Sequence, residues 1–583
     1  MSPSNRGAML AIAAGAVALA MLAPAPASGQ QAPPVSQREA IAAANRDPKV
    51  LEQRRKHPDL RPTASLVDGN WQVDYFSGDR DLVQVIVDDV TGFVRESWSG
   101  YQVAWKMARG YPGAFGHRLN APYVWLPLCA IFLIGLVDWR RPWRVANLDL
   151  LVLLSFGASH FFFNRAEIGL SVPLQYPPLL YLMGRMLWVG FRGRGDGLRP
   201  IWPAAWLMIA ALFLLGFRGG LNVADSGVID VGYAGVVGAD RIADGEPVYG
   251  EGAFPDEVGS GDTYGPVNYY AYLPFEQALP WSGSWDDLPA AHAAAIFFDL
   301  ATFAGLLLLG RRLRPGAEGR RLGATLGFGW AAYPYAAFVL ESNANDTLVA
   351  VLLVGMLLVL ARPAARGAML ALTGLTKFAP FILVPLMATY QPASSAGGVV
   401  GPAPARADTG ARAGGGPTAT GPAVVRFVLG FVIAGAIVMA QTVVDPGFST
   451  FWDRTIASQI DRDSPFSIWG QVPSLEPLRL VVMAAVAALA VLVAFRPRRK
   501  SVAQLVALGA ALLIGTQLFA QHWFYLYLVW FAPLVLVALG AITPEPEAAP
   551  ARSTWPSRSE PLPQPPPSPT RPPPPSRSEP ASA

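Results

Sequence analysis

The sequence predicts an all-α polytopic membrane protein of about eleven spans and one re-entrant hairpin, with a small extracytoplasmic α+β domain before the spans. Of the 583 residues, 52% are hydrophobic and only 15% are charged. The mean hydropathy is +0.33, which is too high for an ordinary soluble protein. Apolar runs of about twenty residues recur, and this length crosses a hydrocarbon core of about 30 Å.

The first 27 residues are typical of a secretory signal peptide. Arg6 precedes an apolar run, and Ala25-Pro26-Ala27 offers a cleavage site with small residues. An uncleaved first span is the alternative. Either interpretation takes the next part of the chain out of the cytoplasm.

Residues 36–118 are predicted to form a separate extracytoplasmic module, because this stretch is polar and lacks any run long enough to span a bilayer. Ser36–Lys56 is expected to be a helix, and three strands are expected to follow it, at residues 71–76, 82–87 and 93–98. This pattern resembles a single PepSY-type domain, and the resemblance implies an interaction or regulatory role outside the cytoplasm. An unrelated α+β spacer is the alternative.

The membrane domain is predicted to occupy residues 122–541. Its apolar spans are expected at residues 122–138, 147–163, 172–191, 201–217, 291–310, 323–340, 346–362, 426–443, 477–495, 502–520 and 523–541. The segment 367–389 contains Gly374, Lys377, Pro380 and Pro385, which interrupt a helix. We therefore expect a hairpin or two half-helices there.

Arginine-rich loops predict the orientation of the spans. The basic residues follow alternate spans: Arg140, Arg141, Arg144, Arg192, Arg194, Arg199, Arg311, Arg312, Arg314, Arg320, Arg321, Arg496, Arg498, Arg499 and Lys500. Positive residues mark the cytoplasmic side. We therefore expect a multi-pass protein of the bacterial cytoplasmic membrane, with the N-terminal module and the 219–289 loop outside and the C-terminus in the cytoplasm. The net charge of +4 is then a topology signal, and no nucleic-acid partner is expected.

Two segments are predicted to be disordered on the cytoplasmic side, residues 391–424 and the Pro-rich tail 543–583. The tail is a candidate ligand for a proline-recognising partner, and a flexible tail without a partner is the alternative. The single cysteine, Cys129, lies inside a predicted span, so neither a disulfide framework nor a thiolate zinc site is expected.

The 219–289 loop carries the candidate chemistry. Asp225 and Asp230 can accept a proton from a substrate hydroxyl. Aromatic side chains near them can stack on sugar rings or isoprenoid units, and the candidate sugar- or lipid-binding residues of this loop are Tyr233, Tyr249, Asp262, Tyr264 and Tyr269.

Further candidates lie at other predicted outer span ends. Asn345 and Asp346 join two spans, although a helix N-cap is an alternative role for them. Lys377 lies in the hairpin, where an ionisable group is costly and suits a phosphate, with a snorkelling lysine as the alternative. The remaining candidates are Arg454, Arg462 and His522 for a phosphate and Trp469 for packing on a sugar or lipid. A polar connector is the alternative for each cluster.

The order of several motifs resembles that of integral-membrane glycosyltransferases with the GT-C fold, above all the polyprenol-phosphate-mannose-dependent mannosyltransferases of actinobacteria. The motifs are Asp230-x-x-Tyr233, Asp244-Gly-Glu-Pro-Val-Tyr249, Tyr264-Gly-Pro266, Thr376-Lys-Phe-Ala-Pro380 and Arg462-Asp-Ser-Pro-Phe-Ser-Ile-Trp469. The likeness covers residues 200–541. The module and the spans before residue 200 depart from the family's usual core.

The resemblance implies transfer of a sugar, with mannose expected, from a polyprenyl-phosphate donor to a lipid or glycan acceptor hydroxyl outside the membrane, with inversion. It also implies that Asp230 is the base, with Asp225 as the alternative. No cofactor is expected, and because no Asp-x-Asp pair lies near Asp230, a required divalent metal lacks support. A transporter or flippase of lipid-linked sugars, or an inactive relative that acts through its N-terminal module, is the alternative function. A transporter should instead place its polar residues near mid-membrane.

Overall fold

A computed structural model describes residues 35–110, 117–255, 260–284, 288–393, 420–460 and 464–542. The fold is mostly helical, and its sheet lies near the N-terminus. The predicted signal peptide, most of the predicted loop 391–424, the tail 543–583 and Arg462 lie outside the described residues. A helix begins at Thr420, so the last residues of the predicted disordered loop are helical.

The N-terminal module consists of two helices and a four-stranded antiparallel sheet in the order β1-β2-β3-β4. Its elements are α1 (Gln37–Ala44), α2 (Pro48–Lys56), β1 (Arg61–Val67), β2 (Asn70–Ser77), β3 (Arg80–Asp88) and β4 (Val94–Ser99). The single helix predicted over Ser36–Lys56 was wrong, because the residue before a proline is disfavoured in the α region. Asp47 instead is extended and caps α2, with its side chain accepting a hydrogen bond from the Lys49 amide.

The helices pack on one face of the sheet, where alternate strand residues are buried. The core of this module contains Ala40, Ala44, Val50, Val73, Tyr75, Val83, Val85 and Val87. Three of the four strands match the predicted ones, and β1 was missed. β1 is an exposed edge strand that contains Pro62, a residue tolerated at a sheet edge because its missing N–H is not needed there.

The membrane domain begins with helices that follow a short connecting helix, α3 (Tyr101–Ala104). Its first half contains α4 (Pro122–Leu136), α5 (Val145–Phe163), α6 (Ile168–Leu174), α7 (Tyr176–Arg192), α8 (Ala204–Asp225), α9 (Asp230–Ala243), α10 (Pro266–Ala278) and α11 (Pro289–Leu313). Its second half contains α12 (Gly316–Ala332), α13 (Pro334–Glu341), α14 (Asp346–Leu358), α15 (Pro363–Gly374), α16 (Val384–Ala388), α17 (Thr420–Thr442), α18 (Phe448–Trp452), α19 (Ser458–Ile460), α20 (Ile468–Gln471), α21 (Glu476–Phe495), α22 (Val502–Leu518) and α23 (Leu528–Ala541).

Among the described residues, 5 helical stretches are long and apolar enough to cross a membrane. They are Val145–Phe163, Ala204–Asp225, Pro289–Leu313, Gly421–Ala457 and Pro473–Phe495. Shorter apolar helices cover Pro122–Leu136, Asp346–Leu358, Ala379–Ala388, Val502–Leu518 and Tyr525–Ala541. The chain is therefore a membrane protein by length and composition, while the count of about eleven spans stays a prediction.

Prolines shape the second half of the domain. The span predicted over residues 323–340 is two helices, because Pro334 forces Tyr333 into an extended conformation between α12 and α13. The segment 367–389 is likewise two short helical pieces, as predicted. The Arg366 guanidinium, near the start of α15, lies 5.4 Å from the ring centre of Tyr390, just past α16. The chain therefore returns to the end of the domain from which α15 began.

A buried ion pair ties three of these helices together. Both Asp299 carboxylate oxygens accept hydrogen bonds from Arg218, at 2.5 and 2.6 Å. The Trp330 indole N–H donates to Asp299 at 2.9 Å. The pair joins α8, α11 and α12, and Arg218 directly precedes the predicted 219–289 loop along the chain. Removing one partner would leave an uncompensated charge, so the pair fixes how these helices meet.

Candidate functional site

Two predicted residues far apart in sequence, Lys377 and Asp346, form a buried ion pair. The Lys377 ammonium donates to Asp346 Oδ1 at 2.7 Å, and the Trp530 indole N–H donates to the same oxygen at 2.8 Å. Lys377 is thus neither exposed nor snorkelling. The hairpin brings it to the first residue of α14, where an opposite charge offsets the cost of burying an ammonium group.

Three aromatic rings surround the Lys377 ammonium. Its nitrogen lies 5.5 Å from the ring centre of Tyr264 and 5.4 Å from those of Tyr527 and Trp530. Electron-rich ring faces attract a cation at such distances. Tyr264 and Tyr527 are only half-buried, so the aromatic wall reaches the protein surface. We call Lys377, Asp346, Tyr264, Tyr527 and Trp530 the lysine box.

Unpaired polar atoms lie beside the lysine box. Asn345 Nδ2 donates to Asn268 Oδ1 at 2.8 Å. No hydrogen-bond partner within the described part of the chain reaches Asn345 Oδ1, Asn268 Nδ2, Asp346 Oδ2 or Tyr272 Oη. All four side chains are buried. Because a buried polar atom without a partner costs about 1–3 kcal/mol, this cluster is suited to hydroxyl groups of a ligand or to water.

Asn345 does not act as a helix cap. It occupies the N-cap position of α14, but its side chain makes no capping hydrogen bond. It is directed instead to Asn268, as described above. The simple explanation of Asn345 and Asp346 as capping residues therefore fails, because both side chains make tertiary contacts across the fold.

A second pair, Asp262 and Arg454, joins the predicted outer loop to the segment that follows α18. Arg454 donates to Asp262 from Nε at 2.5 Å and from Nη2 at 2.9 Å. The Gly250 amide also donates to Asp262, at 3.2 Å. The Asp262 side chain is fully buried, whereas 35% of the Arg454 side chain is exposed. Asp262 thus orients a guanidinium that still faces solvent.

Tyrosines connect the second pair to the lysine box. Tyr249 donates from its hydroxyl to the Tyr264 carbonyl at 2.9 Å, and the Tyr264 amide lies 3.4 Å from the Tyr269 hydroxyl. The Tyr269 hydroxyl donates to the Gly261 carbonyl at 2.8 Å. Tyr249 and Tyr269 are buried and therefore support the loop from beneath, whereas Tyr264 forms part of its accessible surface.

The two candidate bases differ in their surroundings. Asp225, the last residue of α8, forms an ion pair with Arg118 in which Nε and Oδ2 lie 3.1 Å apart. Asp230, the first residue of α9, is exposed. Backbone contacts hold this helix start in place, since the Ile229 amide donates to the Ser342 carbonyl at 3.2 Å. Asp230 therefore stands on a fixed helix end beside the 342–346 connection.

Glu341 lies close to Asp225 at the end of α13. It is buried, and neither carboxyl oxygen has a hydrogen-bond partner within the described ranges. Burial raises the pKa of Glu341 to about 8, with a further contribution from the negative charge of Asp225. A carboxyl group in such surroundings holds its proton at neutral pH.

Three predicted residues lie among other partners. His522 Nδ1 is 2.9 Å from Ser464 Oγ. Trp469 is buried, and its indole N–H donates to the Leu518 carbonyl at 3.0 Å, so it serves the core. Tyr233 is buried with its ring against Trp281. These contacts do not place any of the three in the lysine box.

Sequence reasoning missed several residues of the site. Trp530 and Tyr527 lie in the predicted span 523–541, where an aromatic side chain is typical of a core. Arg118 belongs to the connection between module and membrane domain. A usable signal was available for Asn268 and Tyr272, because both lie in the predicted 219–289 loop.

Neither a scan against models of protein families nor a search of curated proteins gave a match to this chain, so the function is argued from its own residues.

Proposed function

We propose that this protein is a membrane glycosyltransferase that transfers a sugar, with mannose expected, from a polyprenyl-phosphate donor to an acceptor hydroxyl outside the cytoplasmic membrane. One observation supports this proposal above the others. Separate parts of the sequence, at Asp262, Asp346, Lys377 and Arg454, are linked through Tyr264 and Tyr249 into one continuous set of contacts.

The cations of this set suit the phosphate of the donor. Arg454 is held by Asp262 and remains partly exposed, so its positive charge is accessible to a phosphate group of the donor. Lys377 lies beyond Tyr264, where it contributes positive charge. Charge develops on the phosphate oxygen as the glycosidic bond breaks, so fixed cations near it lower the barrier.

The unpaired polar atoms suit the sugar. Asp346 Oδ2 and Asn345 Oδ1 can accept hydrogen bonds from sugar hydroxyls, while Asn268 Nδ2 can donate one. The half-buried rings of Tyr264 and Tyr527 offer faces on which a sugar can stack. A sugar bound by these groups would lie next to Lys377.

Asp230 is the proposed base. In an inverting transfer, the acceptor oxygen forms a bond to the anomeric carbon while the bond from that carbon to the phosphate oxygen breaks. The acceptor proton passes to the Asp230 carboxylate, and the polyprenyl phosphate leaves with the bonding electron pair. An exposed aspartate on a fixed helix end can approach an incoming hydroxyl, as general-base catalysis requires.

The proposal is tested by sugar transfer from radiolabelled polyprenyl-phosphate-mannose in membranes that contain the full chain. We expect Asp230→Asn to lose about a hundredfold or more in rate, the scale of general acid–base catalysis. Asp68→Asn is the matched control, because Asp68 is an exposed carboxylate in the N-terminal module, outside the proposed site. The absence of transfer by the wild type with this donor would contradict the proposal and would favour the transporter or inactive-relative alternatives.

A further inference from the structure

A large cavity lies between α4 and α5, the first two long helices of the membrane domain. Its volume is about 960 Å³, within the range of ligand sites. Apolar and aromatic side chains form most of its wall: Pro122, Tyr123, Trp125, Leu126, Cys129, Leu154, Ala158 and Phe161. Apart from Asp225, the residues that line the cavity precede the range of the resemblance described above.

The cavity opens on a side of these helices where large apolar and aromatic side chains are exposed. Tyr123 and Leu126 are 74% and 63% exposed, and Phe161 is 50% exposed. Since α5 is long and apolar enough to cross a membrane, we expect these exposed side chains to face hydrocarbon. A lipid chain is the one ligand present at high concentration there, and its contact with this wall needs no desolvation of polar groups.

The other end of the cavity is polar and carries a positive excess. Arg118, Asn164, Arg165 and Asp225 line it, which gives two guanidinium groups and one carboxylate. Asp225 is the partner of Arg118, and the Arg165 guanidinium lies 4.8 Å from the ring centre of Phe161. An anionic phosphate fits between two arginines, and a carboxylate beside it can accept a hydrogen bond from a hydroxyl.

We propose that this cavity binds an anionic phospholipid with a hydroxylated headgroup, and that this lipid is the sugar acceptor. Its hydrocarbon chain would lie along α4 and α5, its phosphate at Arg118 and Arg165, and its headgroup hydroxyl toward Asp225. The acceptor role rests on the proposed glycosyltransferase function, whereas lipid binding does not. The separation of only five residues between Asp225 and Asp230 brings the headgroup to the start of the helix that carries the proposed base.

Binding is tested with a photoactivatable phosphatidylglycerol that carries a diazirine in one acyl chain, added to vesicles that contain the full chain. We expect adducts on peptides that include residues 121–129 and 154–165. Ala158 lies at an exposed position of the cavity wall, and Ala158→Trp should lower labelling there by about tenfold. The loss of contact with about two methylene groups of the acyl chain is enough to weaken binding by this factor. Leu151→Trp is the control, since Leu151 is exposed on the same helix outside the cavity.

Headgroup selection is tested with the same diazirine on phosphatidylcholine, which lacks both the net negative charge and the hydroxyls. We expect weaker labelling by this probe, and Arg165→Gln should reduce the preference for phosphatidylglycerol without emptying the cavity. Equal labelling by both probes, labelling spread evenly over all lipid-facing helices, or labelling insensitive to Ala158→Trp would overturn the proposed lipid site.

The acceptor role is tested separately by counting radiolabelled mannose in the extracted lipid fraction. We expect Ala158→Trp to reduce it in parallel with photolabelling and Leu151→Trp to leave it unchanged. If Ala158→Trp blocks photolabelling but not transfer, the lipid is not the acceptor. If photolabelling behaves as expected but the wild type transfers no sugar, the glycosyltransferase proposal and the acceptor role both fail and the lipid site stands.

Discussion

The Trp105 ring lies on His522, with ring centroids 5.6 Å apart and planes inclined by 33°. Trp105 follows α3, the short helix that leaves the N-terminal sheet, while His522 lies between α22 and α23. Phe466 packs against both rings. The module is thereby joined directly to a residue that the sequence singled out for phosphate binding.

The module side of this junction is held by Arg109. Its guanidinium donates to the Gln84 side chain of β3 at 2.6 Å and to the Gln102 carbonyl at 2.8 Å. The Gln102 side chain in turn donates to the Ala166 carbonyl of the membrane domain at 3.3 Å. These bonds connect the sheet, the segment 101–110 and the membrane domain in series.

Trp105→Ala is expected to lower the apparent melting temperature of the purified protein and to raise the KM for the sugar donor. The substitution removes two aromatic contacts, each worth about 0.5–1.5 kcal/mol beyond the buried area, and one of these contacts helps to position the His522 ring. Trp105→Phe is the matched control, because it retains a ring. Melting curves and donor kinetics that are the same for Trp105→Ala and the wild type would show that this junction does not couple the N-terminal module to donor binding.

Lys377→Met is expected to destabilise the protein by about 3–5 kcal/mol, since it leaves the Asp346 carboxylate buried without its cation. The double variant with Asp346→Leu removes both charges and should recover much of this loss. Thermal unfolding in detergent measures the three variants. If Lys377→Met alone matched the wild type, the ion pair would not be the element that holds α14 and the hairpin together.

Gly265→Ala is expected to displace Tyr264 from the lysine box. A Cβ atom at this position would lie 1.9 Å from the Leu375 carbonyl oxygen, which belongs to the backbone, so the loop must move. Gly216→Ala is the control, because nothing lies within 4 Å of a Cβ there. In the interior of α8 it should stabilise by about 0.5–1 kcal/mol. The two variants should differ in the quenching of their intrinsic tyrosine fluorescence and in their melting temperature.

The N-terminal module is expected to lose stability as the pH rises from about 4 to about 6. Burial raises the pKa of Asp81 to about 6, with a contribution from the negative charge of Asp74, while Arg109 acts in the opposite direction. A raised carboxyl pKa favours the protonated native state. The stabilisation that Asp81 contributes is therefore fully present below its unfolded-state pKa of 3.8. It is lost as the pH rises through the pKa of Asp81 in the folded protein.

Amide hydrogen exchange of peptides from residues 61–99, measured in the full chain and corrected for the intrinsic pH dependence of exchange, tests this expectation. Asp81→Asn should remove the pH dependence and protect the sheet at neutral pH. Asp68→Asn is the control, because Asp68 is an exposed residue of the β1–β2 turn. Protection that increased with pH in the wild type would contradict the assignment to Asp81.

The sequence indicated which side chains matter more readily than where they meet. Lys377 and Asp346 each stood out because ionisable groups are costly in apolar surroundings. Their pairing depends on how the hairpin packs against α14, which no local pattern encodes. Trp530 was missed for the opposite reason, since an aromatic residue is common in an apolar span. Its role becomes visible only in the structure, where its indole N–H donates to the buried Asp346 carboxylate.

Local chemistry explains the differences in the fold. The breaks before Pro48 and Pro334 follow from the restricted conformation of the residue before a proline, which hydrophobic periodicity alone overlooks. The edge strand β1 has most of its residues exposed, so it lacks the alternation that revealed β2 and β3. Arg118 and Trp105 lie in a polar connection, where contacts across the fold leave no sequence signal.

The most direct test of the central claim is a single-turnover comparison of Asp230→Asn with Asp225→Asn, with radiolabelled polyprenyl-phosphate-mannose at saturation. The exposed Asp230 is the proposed base, whereas Asp225 is paired with Arg118 and lines the lipid cavity. We expect the transfer rate to fall about a hundredfold or more in Asp230→Asn and much less in Asp225→Asn. Equal rates in Asp230→Asn and the wild type would contradict the proposed base and direct attention to Asp225.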